Sequence, residues 1–110
     1  MKILLDENID VRFRQVFIKT VHEVFTVRDM QWTGIRNGQL LKLLEQHTFD
    51  VWIALDKNLP YQQNIKLLPV TIIVLDVKRN VLASLLLLTE QLIHLLNQPF
   101  RKEVIVLKSA

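Results

Sequence analysis

Five short, nearly continuous apolar runs, each set apart from the next by helical periodicity or polar chain, constrain this sequence more than any other feature. They are Ile3–Leu5, Val24–Val27, Val51–Leu55, Ile72–Leu75 and Val104–Leu107, and most are rich in β-branched or aromatic residues. A strand with one wet face alternates apolar and polar residues, whereas a strand covered on both faces reads as an unbroken apolar run. The segments between them repeat at the helical period. Val11, Phe13, Val16 and Phe17 mark residues 9–19, Leu40, Leu41, Leu43 and Leu44 mark residues 38–47, and a third pattern runs over 80–97 until Pro99. Strands alternating with helices predict an α/β domain: a five-stranded, mostly parallel sheet of order about 2-1-3-4-5 with helices on both faces. At 110 residues the chain has room for one such domain and no second.

Composition removes several classes of function. There is no cysteine, hence no disulfide, zinc thiolate or cysteine nucleophile, and two glycines are too few for a phosphate-cradling loop. The longest apolar run, Val51–Leu55, is far short of a membrane span, and Asp6 interrupts the N-terminus too early for a signal peptide. The expected location is therefore cytoplasmic, with no membrane partner. Fourteen Lys and Arg against eleven Asp and Glu give a net charge of +3, spread along the sequence without a basic run.

In the 80–97 pattern Val81, Leu82, Leu85, Leu86, Leu88, Leu92, Ile93, Leu95 and Leu96 cover about half of a helix circumference at 100° per residue. A helix lying on a sheet needs a stripe little more than about 100° wide. The surplus predicts either a helix wedged between two elements or a homodimer formed through this helix.

The chemistry is carried by a repeated pattern: Leu5-Asp6, Leu55-Asp56 and Leu75-Asp76 each put an aspartate after an apolar run. Ligands of open parallel sheets bind beyond the carboxyl ends of the strands, where the strand order reverses. In the order 2-1-3-4-5 that point lies between strands 1 and 3, whose spacing of about 4.8 Å brings Asp6 and Asp56 to one place. Two such carboxylates either share a proton or hold a hard cation, Mg²⁺ or Mn²⁺, able to activate water against a phosphodiester. The plainer reading is that each Asp caps the element after its strand, and it is preferred for Asp76. His22, His47 and His94 have no ligand spacing and are read as surface or helix-end residues, and Trp52 as core.

The opening Met1–Asn8 (MKILLDEN), the segment His22–Asp29 (HEVFTVRD), Gly34–Leu41 (GIRNGQLL) and Phe49–Leu59 (FDVWIALDKNL) together resemble small bacterial PIN-like domains, related to VapC-type toxin ribonucleases. The resemblance covers roughly residues 1–76, and its order is more specific than any one motif. It implies a PIN-like three-layer sandwich, metal-dependent cleavage of RNA, and a toxin–antitoxin setting with a small DNA-binding antitoxin as partner. Asp6 and Asp56 match the family's first and strand-3 acids. They are the implied catalytic residues, with Glu7 and Asp76 as further metal ligands and Asn8, Asn37, Gln39, Lys57, Asn58 and Tyr61 as auxiliary or substrate-contacting groups. Gln39 and Asn58 stand where the family carries acids, and each amide in place of a carboxylate weakens Mg²⁺ binding. A catalytically degenerate PIN-like module that binds RNA or protein is the alternative. A phospho-acceptor receiver domain is a third, with Asp56 phosphorylated and Lys108 paired to the phosphate. Tyr61, after Pro60 and before Gln62-Gln63-Asn64, is the expected stacking residue for a single strand.

Overall fold

The computed structural model describes residues 1–59, 68–99 and 102–109. Strands β1 (Lys2–Leu5), β2 (Glu23–Thr26), β3 (Val51–Ala54), β4 (Thr71–Asp76) and β5 (Val104–Lys108) form one sheet in the order β2-β1-β3-β4-β5. Every neighbouring pair is parallel. The predicted order is therefore observed, and the crossover between β1 and β3 makes the switch point.

Alternation along the central strands feeds two cores. Leu4, Trp52, Ala54, Ile72 and Val74 face one side, where helix α1 (Asn37–Gln46) covers them with Leu40, Leu41 and Leu44, joined by Trp32 and Phe49. Ile3, Leu5, Val51, Ile53, Ile73 and Leu75 face the other, against Phe13, Phe17, Leu85, Leu88, Leu92 and Leu96. The result is a three-layer sandwich. β1, β3 and β4 are buried on both faces, while the edge strands β2 and β5 stay partly exposed.

Two helical segments differ from the sequence expectation. The 9–19 pattern folds as a 3₁₀ helix over Val11–Phe17, started by Asp10, whose carboxylate accepts the Arg12 backbone N–H at 2.9 Å. Valine and phenylalanine are poor α-helix formers, and burial of Phe13 and Phe17 decides the conformation. Those two rings meet edge to face at 6.1 Å.

The 80–97 pattern is not one helix but two, α2 (Leu82–Leu86) and α3 (Thr89–Leu96). The run Leu85–Leu88 has no polar residue to select a face. The turn tightens there, with Leu87 and Leu88 N–H bonding carbonyls three residues back at 3.3 and 3.0 Å. That places Leu85 and Leu88 together on the sheet. Much of the apolar surplus is thereby absorbed, although Val81, Leu86 and Leu87 remain exposed. No helix among the described residues is long and apolar enough to cross a membrane.

The amino end of the sheet is closed by structural bonds. Lys2 donates its backbone N–H to Asp50 at 2.7 Å and its ammonium to the His47 carbonyl at 2.7 Å, with the ammonium 4.6 Å from the Phe49 ring centre. His47 ends α1 and meets Trp32 edge to face, His94 lies exposed on α3, and Trp52 is wholly buried.

Candidate functional site

Ladder register fixes where the carboxylates fall. Leu5 pairs with Ile53, and the Asp6 N–H continues the ladder to the Ile53 carbonyl at 2.9 Å. Asp6 thus emerges next to the end of β3, and Asp56 lies two residues beyond Ala54 rather than directly opposite. At that offset Asp56 is the smallest of the influences on the Asp6 carboxyl group. The Asp6 pKa is raised above the ordinary carboxylate value, first by burial and then by the Glu7 charge, with the Asp56 charge adding to both. The Glu7 backbone N–H and the Trp52 indole oppose the rise. The indole interaction falls short of hydrogen-bond geometry, because Trp52 Nε1 is a buried donor without a partner.

Asp56 is held by its own turn: one carboxylate oxygen accepts the Asn58 N–H at 2.8 Å, and its carbonyl accepts the Leu59 N–H at 3.1 Å. The capping role is therefore real, and it is compatible with a functional role for the rest of the group.

Around Asp6 lies a cleft of about 280 Å³ lined by Asp6, Glu7, Ile9, Val11, Thr26, Val27, Arg28 and Thr33. Its far wall is set by a reciprocal pair: Thr26 N–H to the Asp29 carboxylate at 2.9 Å, and Asp29 N–H to Thr26 Oγ1 at 3.0 Å. Arg14 binds the same carboxylate, and the Thr26 N–H first and the Arg14 charge after it hold Asp29 below its ordinary pKa. This turn presents Arg28 across the cleft from the acids. The sequence reading missed Arg28 as a site residue, because only the β1–β2 pairing brings residue 28 next to residue 6.

The other expected site residues disperse. Asp76, the last residue of β4, is bound by Lys57 at 2.7 Å and by Lys108 at 3.5 Å, and these cations pull its pKa down. The Lys57 ammonium is therefore engaged by Asp76, the aspartate of the neighbouring strand. Lys108, which the receiver reading needs beside Asp56, pairs with Asp76. Asn8 accepts the Asn80 side-chain amide at 2.9 Å through its backbone carbonyl. Asn37 opens α1 and Gln39 is exposed in its first turn, both outside the lining of the Asp6 cleft. Tyr61 lies outside the described residues.

Among the described residues no group of three or more His, Asp or Glu side chains comes together to hold a metal ion. Mg²⁺ commonly uses only one or two protein carboxylates and completes its shell with water and substrate phosphates. Asp6 and Asp56 are the residues that would hold such an ion, together with a substrate phosphate.

Set against family models, curated proteins and solved structures, the chain matches none. What the fold itself defines is a parallel α/β sandwich in the order β2-β1-β3-β4-β5, with aspartates at or just beyond the carboxyl ends of β1, β3 and β4.

The raised Asp6 pKa has a consequence for stability. A carboxyl group whose pKa is higher in the folded state stabilises the fold below the unfolded value and loses that contribution as pH rises through the folded value. Ionised Asp6 is therefore a burden at neutral pH. Asp6→Asn is expected to stabilise the protein at pH 7. Thermal unfolding from neutral pH to below pH ~4 checks this, and the gap between the two proteins should close as the wild-type carboxyl protonates. A variant less stable than wild type at pH 7 would contradict the assignment.

Proposed function

We propose that this chain is a PIN-like ribonuclease acting on single-stranded RNA at the carboxyl edge of its sheet. The reading is supported above all by Asp6 and Asp56 following two strands that are neighbours at the switch point, with the Asp56 charge among the influences that raise the Asp6 pKa. Asp6 and Asp56 would hold a Mg²⁺ or Mn²⁺ ion together with a substrate phosphate. When bound, the ion supplies charge neutralisation and an acidified water. Arg28, across the cleft, is placed to bind a non-bridging phosphate oxygen, and Glu7 to add negative charge at the rim. The Asn58 N–H keeps the Asp56 carboxylate oriented.

A toxin-type role in the cytoplasm, restrained by a small DNA-binding antitoxin, belongs to the same proposal and comes from the sequence resemblance. So does homodimerisation through residues 80–97, for which the exposed Val81, Leu86 and Leu87 offer an apolar patch. Light scattering should then give twice the chain mass of 13.0 kDa. A monomer at tens of micromolar would remove the dimer.

The second reading, a degenerate PIN-like binding module, is favoured by the absence of a third converging acid among the described residues. One experiment separates the two. A fluorescent single-stranded RNA is incubated with Mn²⁺ and the wild type, Asp6→Asn or Asp56→Asn. Cleavage by the wild type alone supports the nuclease. RNA bound intact by all three leaves the binding module.

A further inference from the structure

We infer that a second cleft, at the carboxyl ends of β4 and β5, binds the phosphate backbone of single-stranded RNA and leads it to the Asp6–Asp56 pair. The inference rests on the proposed action on RNA and names the surface that holds it. The cleft has a volume of about 650 Å³ and is lined by Lys57, Asp76, Lys78, Arg79, Ser84 and Lys108, among others. Its cations come from three separate places in the chain: the turn after β3, the turn after β4 and the end of β5. Four of the fourteen Lys and Arg gather here with one of the eleven Asp and Glu. That surplus equals the formal net charge of the whole chain, +3, so the remainder of the protein is balanced. Positive charge that looks scattered in the sequence is concentrated by the fold in one depression.

The arrangement suits a polyanion. Asp76, mostly buried, anchors the Lys57 and Lys108 ammonium groups at 2.7 and 3.5 Å, while those side chains remain 57% and 70% exposed. Each ammonium has three donors, and the contact with Asp76 leaves others for phosphate oxygens. Lys78 and Arg79 are exposed. The described lining contains no aromatic ring, so binding here would come from charge and not from base stacking. Val77, the exposed Leu87 and the stems of the basic side chains give the cleft apolar surface beside its cations, so an acidic protein surface is the competing occupant that the test below scores.

The cleft is also joined to the carboxylate pair. Lys57 follows Asp56 directly, and the Asn80 amide bonds the Asn8 carbonyl at 2.9 Å, tying the turn of Lys78 and Arg79 to the turn of Asp6.

Counterion release gives the test its scale. For a single strand, log affinity falls with log salt at about 0.7 per phosphate neutralised. Four contacts predict a loss of about 50-fold between about 50 and 200 mM salt, and two predict about 7-fold. Anisotropy of a fluorescent single-stranded RNA, measured without divalent metal, should show the larger loss for wild type and the smaller for Lys78→Gln/Arg79→Gln. Lys108→Gln, an exposed change at the end of an edge strand, should fall between them. A wild-type salt slope in both variants overturns the inference, as does a polyglutamate peptide bound as tightly as the RNA and weakened by the same changes. Cleavage in Mn²⁺ is scored separately. RNA bound with the expected slopes but never cut removes the nuclease reading and keeps this cleft. RNA cut normally by variants with unchanged slopes removes the cleft and keeps the nuclease.

Discussion

Asp56→Asn is expected to slow cleavage of single-stranded RNA at least about 100-fold, the scale on which a positioned acid–base or charge-stabilising group acts. The fold should be little changed. The carboxylate oxygen that accepts the Asn58 N–H has a counterpart in the asparagine amide oxygen, so the turn after β3 keeps its 2.8 Å bond. What is lost is the negative charge, which the proposed ion and the coupling to Asp6 both need. A purely capping Asp56 would show the opposite pattern: full activity in Asp56→Asn and a loss of stability in Asp56→Ala, which removes the acceptor. Measuring rate and melting temperature on both variants distinguishes the roles. A variant Asp56→Asn that keeps a tenth or more of the wild-type rate would move the reaction elsewhere.

Trp52→Ala is expected to cost about 3–5 kcal/mol, the largest stability effect of any single change considered. Trp52 is wholly buried on β3, in the middle of the sheet, among the residues that α1 covers. Removing the indole opens a cavity between strand and helix that rigid neighbours cannot fill. For a domain of about this size the melting temperature should fall by roughly 12 °C or more. Trp52→Phe isolates a second effect. It retains most of the packing and removes an indole N–H that has no hydrogen-bond partner, so its cost should stay below about 1.5 kcal/mol.

The sequence makes the strands legible because burial on both faces leaves a run such as Val51–Leu55 with no polar position. The parallel sheet follows from such runs alternating with helices, and the order expected for it is the one observed. Three things were not legible, each because it depends on long-range contact. The ladder register offsets Asp56 by two residues from the position across from Asp6. The turn of the leucine run at residues 85–88 tightens only because Leu85 and Leu88 must both reach the sheet. The gathering of Lys57, Lys78, Arg79 and Lys108 requires β3, β4 and β5 to lie side by side, which no spacing in the sequence reveals. Arg28 falls in the same category. The carboxylates were found because aspartate after a buried strand is a local pattern, whereas their partners are a property of the fold.

The account depends on Asp6 and Asp56 acting on each other as one site, and carboxyl-carbon NMR titration of Asp6 tests that most directly. Asp6 should titrate above an ordinary aspartate in the wild type, and its pKa should fall when Asp56 is replaced by Asn. An Asp6 titration unchanged by Asp56→Asn would contradict the account, leaving two separate strand-end aspartates and no common centre.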